Sequence, residues 1–244
     1  MRTGCGGSYT RGMNPVAIVT GAGSGIGRAT AVMLAQRGYA LALVGRREAA
    51  LRDTAAMLKS QSIAVATDIS DAAACESLIS ATESKLGRID VLINNAGSAP
   101  MVPIEKSGPT VIDEVFDVNA LGPAYLIHFA WPVFVRQKRG CIVNVSTMGT
   151  IDPFPGFFAY AAAKASVNLM ALSCANEGKR HGIRAFSVAP GSVETAMLRG
   201  NFPESKLPRS RVLTPEAVAQ VIVDCVEGKR DSENGKTIVV PSPG

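Results

Sequence analysis

The stretch Thr20-Gly21-Ala22-Gly23-Ser24-Gly25-Ile26-Gly27 decides how this chain is read. A short apolar run, Val16-Ala17-Ile18-Val19, leads into it. Apolar residues at helical spacing, Ile26, Val32, Met33 and Leu34, lead out of it to a stop at Gly38. Strand, glycine-rich turn and helix in immediate succession make a phosphate cradle. The glycines let the backbone turn tightly and approach a pyrophosphate, and the helix N-terminus faces it with free N–H groups and a positive dipole end. Such a turn also occurs simply to pack a helix on a strand, so the surroundings must carry the rest of the argument.

Outward from the turn, the same alternation repeats. Strands are expected at 16–20, 40–44, 62–67, 90–94, 141–146, 183–189 and 236–240, and helices at 26–37, 47–60, 71–86 and 157–180. A long helix is expected over 110–138, bent near Pro123 and Pro132. Residues 190–213 read as irregular with one short helix, after which Thr214 caps a last helix opened by Pro215. Strands alternating with helices imply an α/β chain: a three-layer, doubly wound Rossmann fold with a seven-stranded parallel sheet flanked by helices and joined by right-handed crossovers. No repeat or composition shift divides residues 15–244, which are expected to form one domain. Residues 1–14 are rich in Gly and Ser, lack an apolar signal-peptide core and read as a disordered tail, with Met13 a candidate start.

Composition agrees. Of 244 residues, 47% are hydrophobic and only 5% aromatic, so the core is built from Ala, Val, Ile and Leu, as suits strands covered on both faces. The net charge of +5 is spread along the chain; this argues against nucleic acid as a partner and suits an anionic ligand. The five cysteines are dispersed, with no C-x-x-C pair, and together with His128 and His181 give no metal site. Reduced, buried thiols and a cytoplasmic setting are expected. No wholly apolar run reaches about 18 residues, so no membrane span is expected.

After the second strand comes Val44-Gly45-Arg46-Arg47. A dinucleotide site that takes NAD usually has an acid here for the ribose 2′-hydroxyl. Gly45 occupies that place, and Arg46, with Arg47 beside it, can pair with a 2′-phosphate, so NADP is preferred over NAD. The alternative is that both arginines are solvated residues at a helix start. Asp68, followed by Ile69, is placed to meet the adenine amino group or to cap the next helix. Asn94-Asn95-Ala96-Gly97 stands at the carboxyl end of the fourth strand, where ligands bind in open α/β sheets.

Tyr160 and Lys164 are four apart and share one helix face, and Ser146 ends the fifth strand toward the same cleft. A phenol titrates near 10, so lowering it by about three units for base chemistry requires about 4 kcal/mol, which a close ammonium can largely supply. With these residues in view, the chain resembles a short-chain dehydrogenase/reductase of the compact, single-domain type. The matching pieces are Thr20–Gly27, Asp68, Asn94–Gly97, Asn119, Ser146, Tyr160-x-x-x-Lys164 and Pro190-Gly191-x-x-x-Thr195, in the family's order.

The resemblance implies an NAD(P)-dependent oxidoreductase that moves a hydride between the nicotinamide and an alcohol or carbonyl. Tyr160 would be its general acid or base, with Lys164 lowering the Tyr160 pKa and holding the nicotinamide ribose. Ser146 would hold the substrate oxygen and Asn119 a relay water. It also implies that Val193 lies near the carboxamide and Thr195 near a phosphate. Ser98, Met148, Phe154, Phe157, Met197 and Leu198 are expected to line a hydrophobic substrate site. The commonest activity of such proteins makes a 3-oxoacyl thioester or similar ketone the expected substrate. The Ala-rich face of 157–180 is expected to pair subunits in a homodimer or homotetramer. The chain departs from the family's pattern in a short substrate loop, 196–213, and in a tail, Pro241-Ser242-Pro243-Gly244, that is not Gly-rich. A methyltransferase would share the first turn but not the Tyr–Lys pair, and a non-catalytic sensor on this fold would have lost part of the Ser, Tyr and Lys set.

Overall fold

The computed structural model describes residues 14–243. Its strands are β1 (Val16–Thr20), β2 (Ala40–Gly45), β3 (Ser62–Ala66), β4 (Val91–Asn94), β5 (Gly140–Val145), β6 (Ile183–Pro190) and β7 (Thr237–Val240). All pair in parallel in the order β3-β2-β1-β4-β5-β6-β7. The strand order reverses between β1 and β4, and a crevice at such a switch point is where open α/β sheets take ligands. The expected tail lies outside the described residues except for Asn14.

Successive strand residues point to opposite faces, so the sheet builds two cores at once. Ala17, Val19, Leu41 and Leu43 face one way. They meet Leu34 of α1 (Gly25–Gln36), Leu51 of α2 (Glu48–Ala56) and Ile222 of α8 (Pro215–Val226). Val16, Ile18, Ala40 and Ala42 face the other way. They meet Leu78 of α3 (Ala72–Leu86), Phe134 of α5 (Gly122–Gln137) and Ala171 of α6 (Phe158–Gly178). Burial on both faces explains why these strands read as unbroken apolar runs.

One helix boundary is corrected. The second helix stops at Ala56 rather than at 60, because the chain tightens there: Leu58 N–H donates to Ala55 O and the Leu58 side chain turns into the core. The expected long helix has its irregularity just before Pro123. α4 (Pro109–Phe116) passes through a π-helical turn, Asp117–Leu121, into α5, which continues through Pro132. Gly122 N–H donates to Asp117 O, five residues back, and Pro123 has no N–H to offer the carbonyl of Asn119. The run Pro109–Gln137, in which an 18-residue stretch reaches a mean hydropathy of 1.3, is by length and composition alone apolar enough to cross a membrane. In this fold it is a core helix, with Leu126, Ala130, Val133 and Phe134 buried against the sheet.

Candidate functional site

The glycine turn is shaped by close approach. Gly21 and Gly25 have φ of 66° and 51°, left-handed values that favour glycine. A Cβ on Gly27 would fall 2.3 Å from Gly21 O, and one on Gly21 would fall 2.7 Å from Asn95 Nδ2. Thr54 Oγ1 donates to Ala22 O at 2.9 Å, and the Arg28 guanidinium donates to Gly23 O. Ser24 begins α1 without a side-chain capping bond, and the first turn holds no acid. By contrast α3 is capped by Asp71 and α8 by Thr214. The N-terminus of α1 therefore keeps its N–H groups and its positive end for an anion, as a pyrophosphate requires.

Two clefts meet over this turn, sharing Gly21, Ser24, Ala96 and Gly97. The smaller, about 220 Å³, spreads over the end of β2, with Gly23, Arg46, Arg47, Asp68 and Ile69 on its walls. The larger, about 750 Å³, runs past Gly25, Ile26 and Asn95 to Ser146, Tyr160 and Lys164. Pro190, Gly191, Val193 and Thr195 border it as well. Of the expected cofactor residues, Gly27 alone lies in neither wall; it packs against the turn itself. An extended ligand with a phosphate at its middle, one end over Arg46 and the other at Tyr160, fits this paired shape.

At the β2 end, Asp68 Oδ1 accepts from Ser70 N–H at 3.0 Å and from Ser70 Oγ at 2.7 Å. These bonds, with Arg46 nearby, hold its carboxyl below the usual range. Capping of the next helix falls to Asp71, whose Oδ1 accepts from Ala73 and Ala74 N–H, so the capping alternative for Asp68 does not hold.

At the other end, Tyr160 and Lys164 project from the first turns of α6. Lys164 is only 3% exposed, and its Nζ donates to Val145 O at 2.8 Å. Ser146 Oγ donates to Lys164 O at 3.3 Å. Asn119, in the π-helical turn, is fully buried. Its Nδ2 donates to Val115 O and Ser98 O, both at 2.8 Å, and its Oδ1 accepts from Ser98 N–H at 3.2 Å. A Cβ on Gly97 would fall 2.7 Å from Asn119 Oδ1 and 3.4 Å from Lys164 Nζ, so this glycine is what lets the two side chains meet. Burial pushes Tyr160 up to about 12, opposed by a hydrogen bond with the Thr147 side chain. Burial likewise pushes Lys164 down to about 8. At the phenol, removal from water outweighs the Thr147 hydroxyl.

Met148, Phe154, Phe157, Met197 and Leu198 all line the larger cavity, and Ser98 does not. The Ser98 main chain is clamped to Asn119, and Ala99 takes the place on the wall. Asn94 also turns away from the cleft; it is buried and its Nδ2 donates to Asn144 Oδ1 at 2.9 Å. Thr195 takes up the capping role. It caps α7 (Ala196–Asn201) by accepting from Leu198 N–H, and its methyl group lies 3.0 Å from where a Gly25 Cβ would be.

Sequence reasoning missed three residues. Phe202 packs its ring on Phe154 and Phe157, with centroids at 5.6 and 6.2 Å. Thr147 hydrogen-bonds the Tyr160 phenol. Ser242 Oγ accepts from Ser192 N–H at 2.8 Å and would meet a Cβ on Gly191 at 2.4 Å, so it holds the Pro190-Gly191 loop from behind. Only Phe202 left a signal, as one of few aromatic residues in an otherwise irregular stretch.

The family profile described as short chain dehydrogenase matches residues 15–206. An uncharacterized oxidoreductase of Staphylococcus epidermidis is 32% identical over 192 residues, 78% of this chain and 84% of that protein. A short chain dehydrogenase/reductase of Aspergillus oryzae is 32% identical over 243 residues, 93% of each. The crystal structure of levodione reductase superposes with a TM-score of 0.86 at 30% identity, covering 95% of this chain and 96% of that one. This chain belongs to the short-chain dehydrogenase/reductase family. It is an oxidoreductase acting on CH–OH groups, of a family that binds nicotinamide cofactors.

Proposed function

We propose that the protein is an NADP-dependent reductase of hydrophobic ketones. One observation carries the reading: Tyr160, Ser146 and Lys164 border a large cavity with apolar walls that is continuous with the glycine turn. The backbone of that turn and Thr195 would hold the pyrophosphate, Asp68 the adenine, Arg46 and Arg47 the 2′-phosphate, Lys164 the nicotinamide ribose and Val193 the carboxamide. The bound nicotinamide supplies the hydride. Ser146 Oγ hydrogen-bonds the carbonyl oxygen, and Tyr160 delivers the proton to it. A phenol raised by burial stays protonated through neutral pH and can serve as the acid in carbonyl reduction. The Asn119 carbonyl, which Pro123 cannot engage, would hold the water that reprotonates the phenol through Lys164.

A 3-oxoacyl thioester or a similar ketone fits the cavity's apolar walls, and levodione reductase, by its name, reduces a ketone. Free, buried Cys75, Cys141, Cys174 and Cys225 support a reducing, cytoplasmic setting. Five of the seven alanines of α6, Ala159, Ala161, Ala163, Ala171 and Ala175, are buried, while Ala162 is exposed and Ala165 half-buried. The outer face of α6 shows Phe158, Leu169 and Leu172, which supports a two-fold contact in a homodimer or homotetramer. Cofactor choice is tested by steady-state kinetics. Arg46→Ala should raise KM for NADP about tenfold and leave NADH kinetics unchanged, one charge-assisted contact being worth about that much. Equal effects on both cofactors would overturn the assignment.

A further inference from the structure

Residues 194–214 cross the open side of the larger cavity and carry four basic side chains, Arg199, Lys206, Arg209 and Arg211, against two acids, Glu194 and Glu204. Both acids are already paired. Glu194 takes Arg199 in a two-pronged contact, Nε to Oε1 at 2.9 Å, and Glu204 takes Arg209 at 3.2 Å. Arg199 also donates to Leu207 O at 2.7 Å, so this cation shapes the lid. Lys206 and Arg211 remain. Both border the cavity, both are exposed, and neither makes an ion pair among the described residues. Asp152, the one carboxylate on the same wall, pairs with neither.

We infer that the substrate carries a carboxylate which Lys206 and Arg211 receive at the cavity mouth, while its apolar body lies on Phe154, Phe157 and Phe202 and its carbonyl reaches Tyr160. The inference rests on the reading of this cavity as the ketone site. A cation beside an apolar wall acts at lower effective dielectric than one in open solvent, and the arginine fork matches a carboxylate in geometry. Phenyl rings and unpaired cations lining one cavity suit an amphiphilic acid better than a wholly neutral ketone. The same cations could serve a second anion, the pyrophosphate of the dinucleotide, and the experiment separates the two.

Calorimetry on the full chain saturated with NADP would compare benzoylpropionate, benzoylbutyrate and benzoylvalerate with their methyl esters. The acid of the chain length that spans mouth to phenol should bind about tenfold tighter than its ester, about 1.4 kcal/mol, and added salt should erode the difference. The double variant Lys206→Ala/Arg211→Ala should lose that preference while ester and NADP affinities stay put. Equal binding of acid and ester at all three lengths overturns the inference. So does a double variant whose loss is in NADP affinity. Turnover separates this inference from the one beneath it. Esters reduced without any preference for the acid leave the ketone reductase and remove the carboxylate site. Acids preferred but never reduced leave the carboxylate site and remove the ketone reductase.

Discussion

Tyr160 and Lys164 are pulled away from their ordinary pKa values in opposite directions by the same cause, burial, and each makes a separate prediction. Tyr160→Phe keeps the ring that packs on Phe157 and removes only the proton donor. Turnover should fall by about 10²–10⁴, with NADP affinity by fluorescence titration within about twofold of wild type. A variant that still turns over normally would dismiss the phenol as the acid. Lys164 is held at about 8 against an ordinary 10.5. A lysine depressed in the fold costs stability wherever the unfolded chain is protonated. The cost is full below pH 8 and fades as the pH climbs toward 10.5. That cost is about 3 kcal/mol at neutral pH, so Lys164→Met should abolish turnover yet raise Tm by a few degrees near pH 7, with the gain shrinking by pH 10. A lower Tm at pH 7 would mean that the bond to Val145 O outweighs the burial of charge.

Among the elements, the π-helical turn Asp117–Leu121 positions Asn119, and Pro123 has no N–H to offer its carbonyl. Pro123→Ala restores an N–H that can reach Asn119 O and convert the turn to ordinary helix. The expected outcome is a several-fold drop in kcat, unchanged KM for the ketone, and a Tm equal to or above wild type. Unchanged kcat would show that the carbonyl has no part in proton relay. The prolines of this region were visible in the sequence, and a bend was expected from them. The irregularity falls at Asn119, which captures both Val115 O and the Ser98 main chain; that its reach extends across the fold to Ser98 was not legible. Ser98 was misread for the same reason, since a polar residue after a strand looks like a wall residue until its backbone is seen to be occupied. The strands, by contrast, were read almost to the residue. Burial on both faces writes each as a continuous apolar run, and no long-range contact is needed to see it.

Considered as a whole molecule, the order of motifs along the chain fixed the class of chemistry, because each piece falls at the carboxyl edge of a strand and the sheet brings those edges together. Contacts between sequence-distant surfaces stayed hidden: the aromatic cluster through Phe202, the burial of five of the α6 alanines and the unpaired lid cations all depend on packing that no spacing rule encodes. The outward face of α6 makes a prediction at this scale. Leu169, 67% exposed, should lie in a subunit contact, so Leu169→Asp should shift the mass measured by light scattering to that of a single chain. Wild type already running as one chain at micromolar concentration would remove that interface. The fastening of Ser242 to Ser192 has a practical outcome for anyone handling the enzyme. An affinity handle grafted directly behind Val240, or trimming of the four residues that follow it, would unlatch the strip of backbone bordering the reaction chamber. Purification handles therefore belong on the amino-terminal side, and a preparation that is folded but sluggish should be checked first for clipping near position 242.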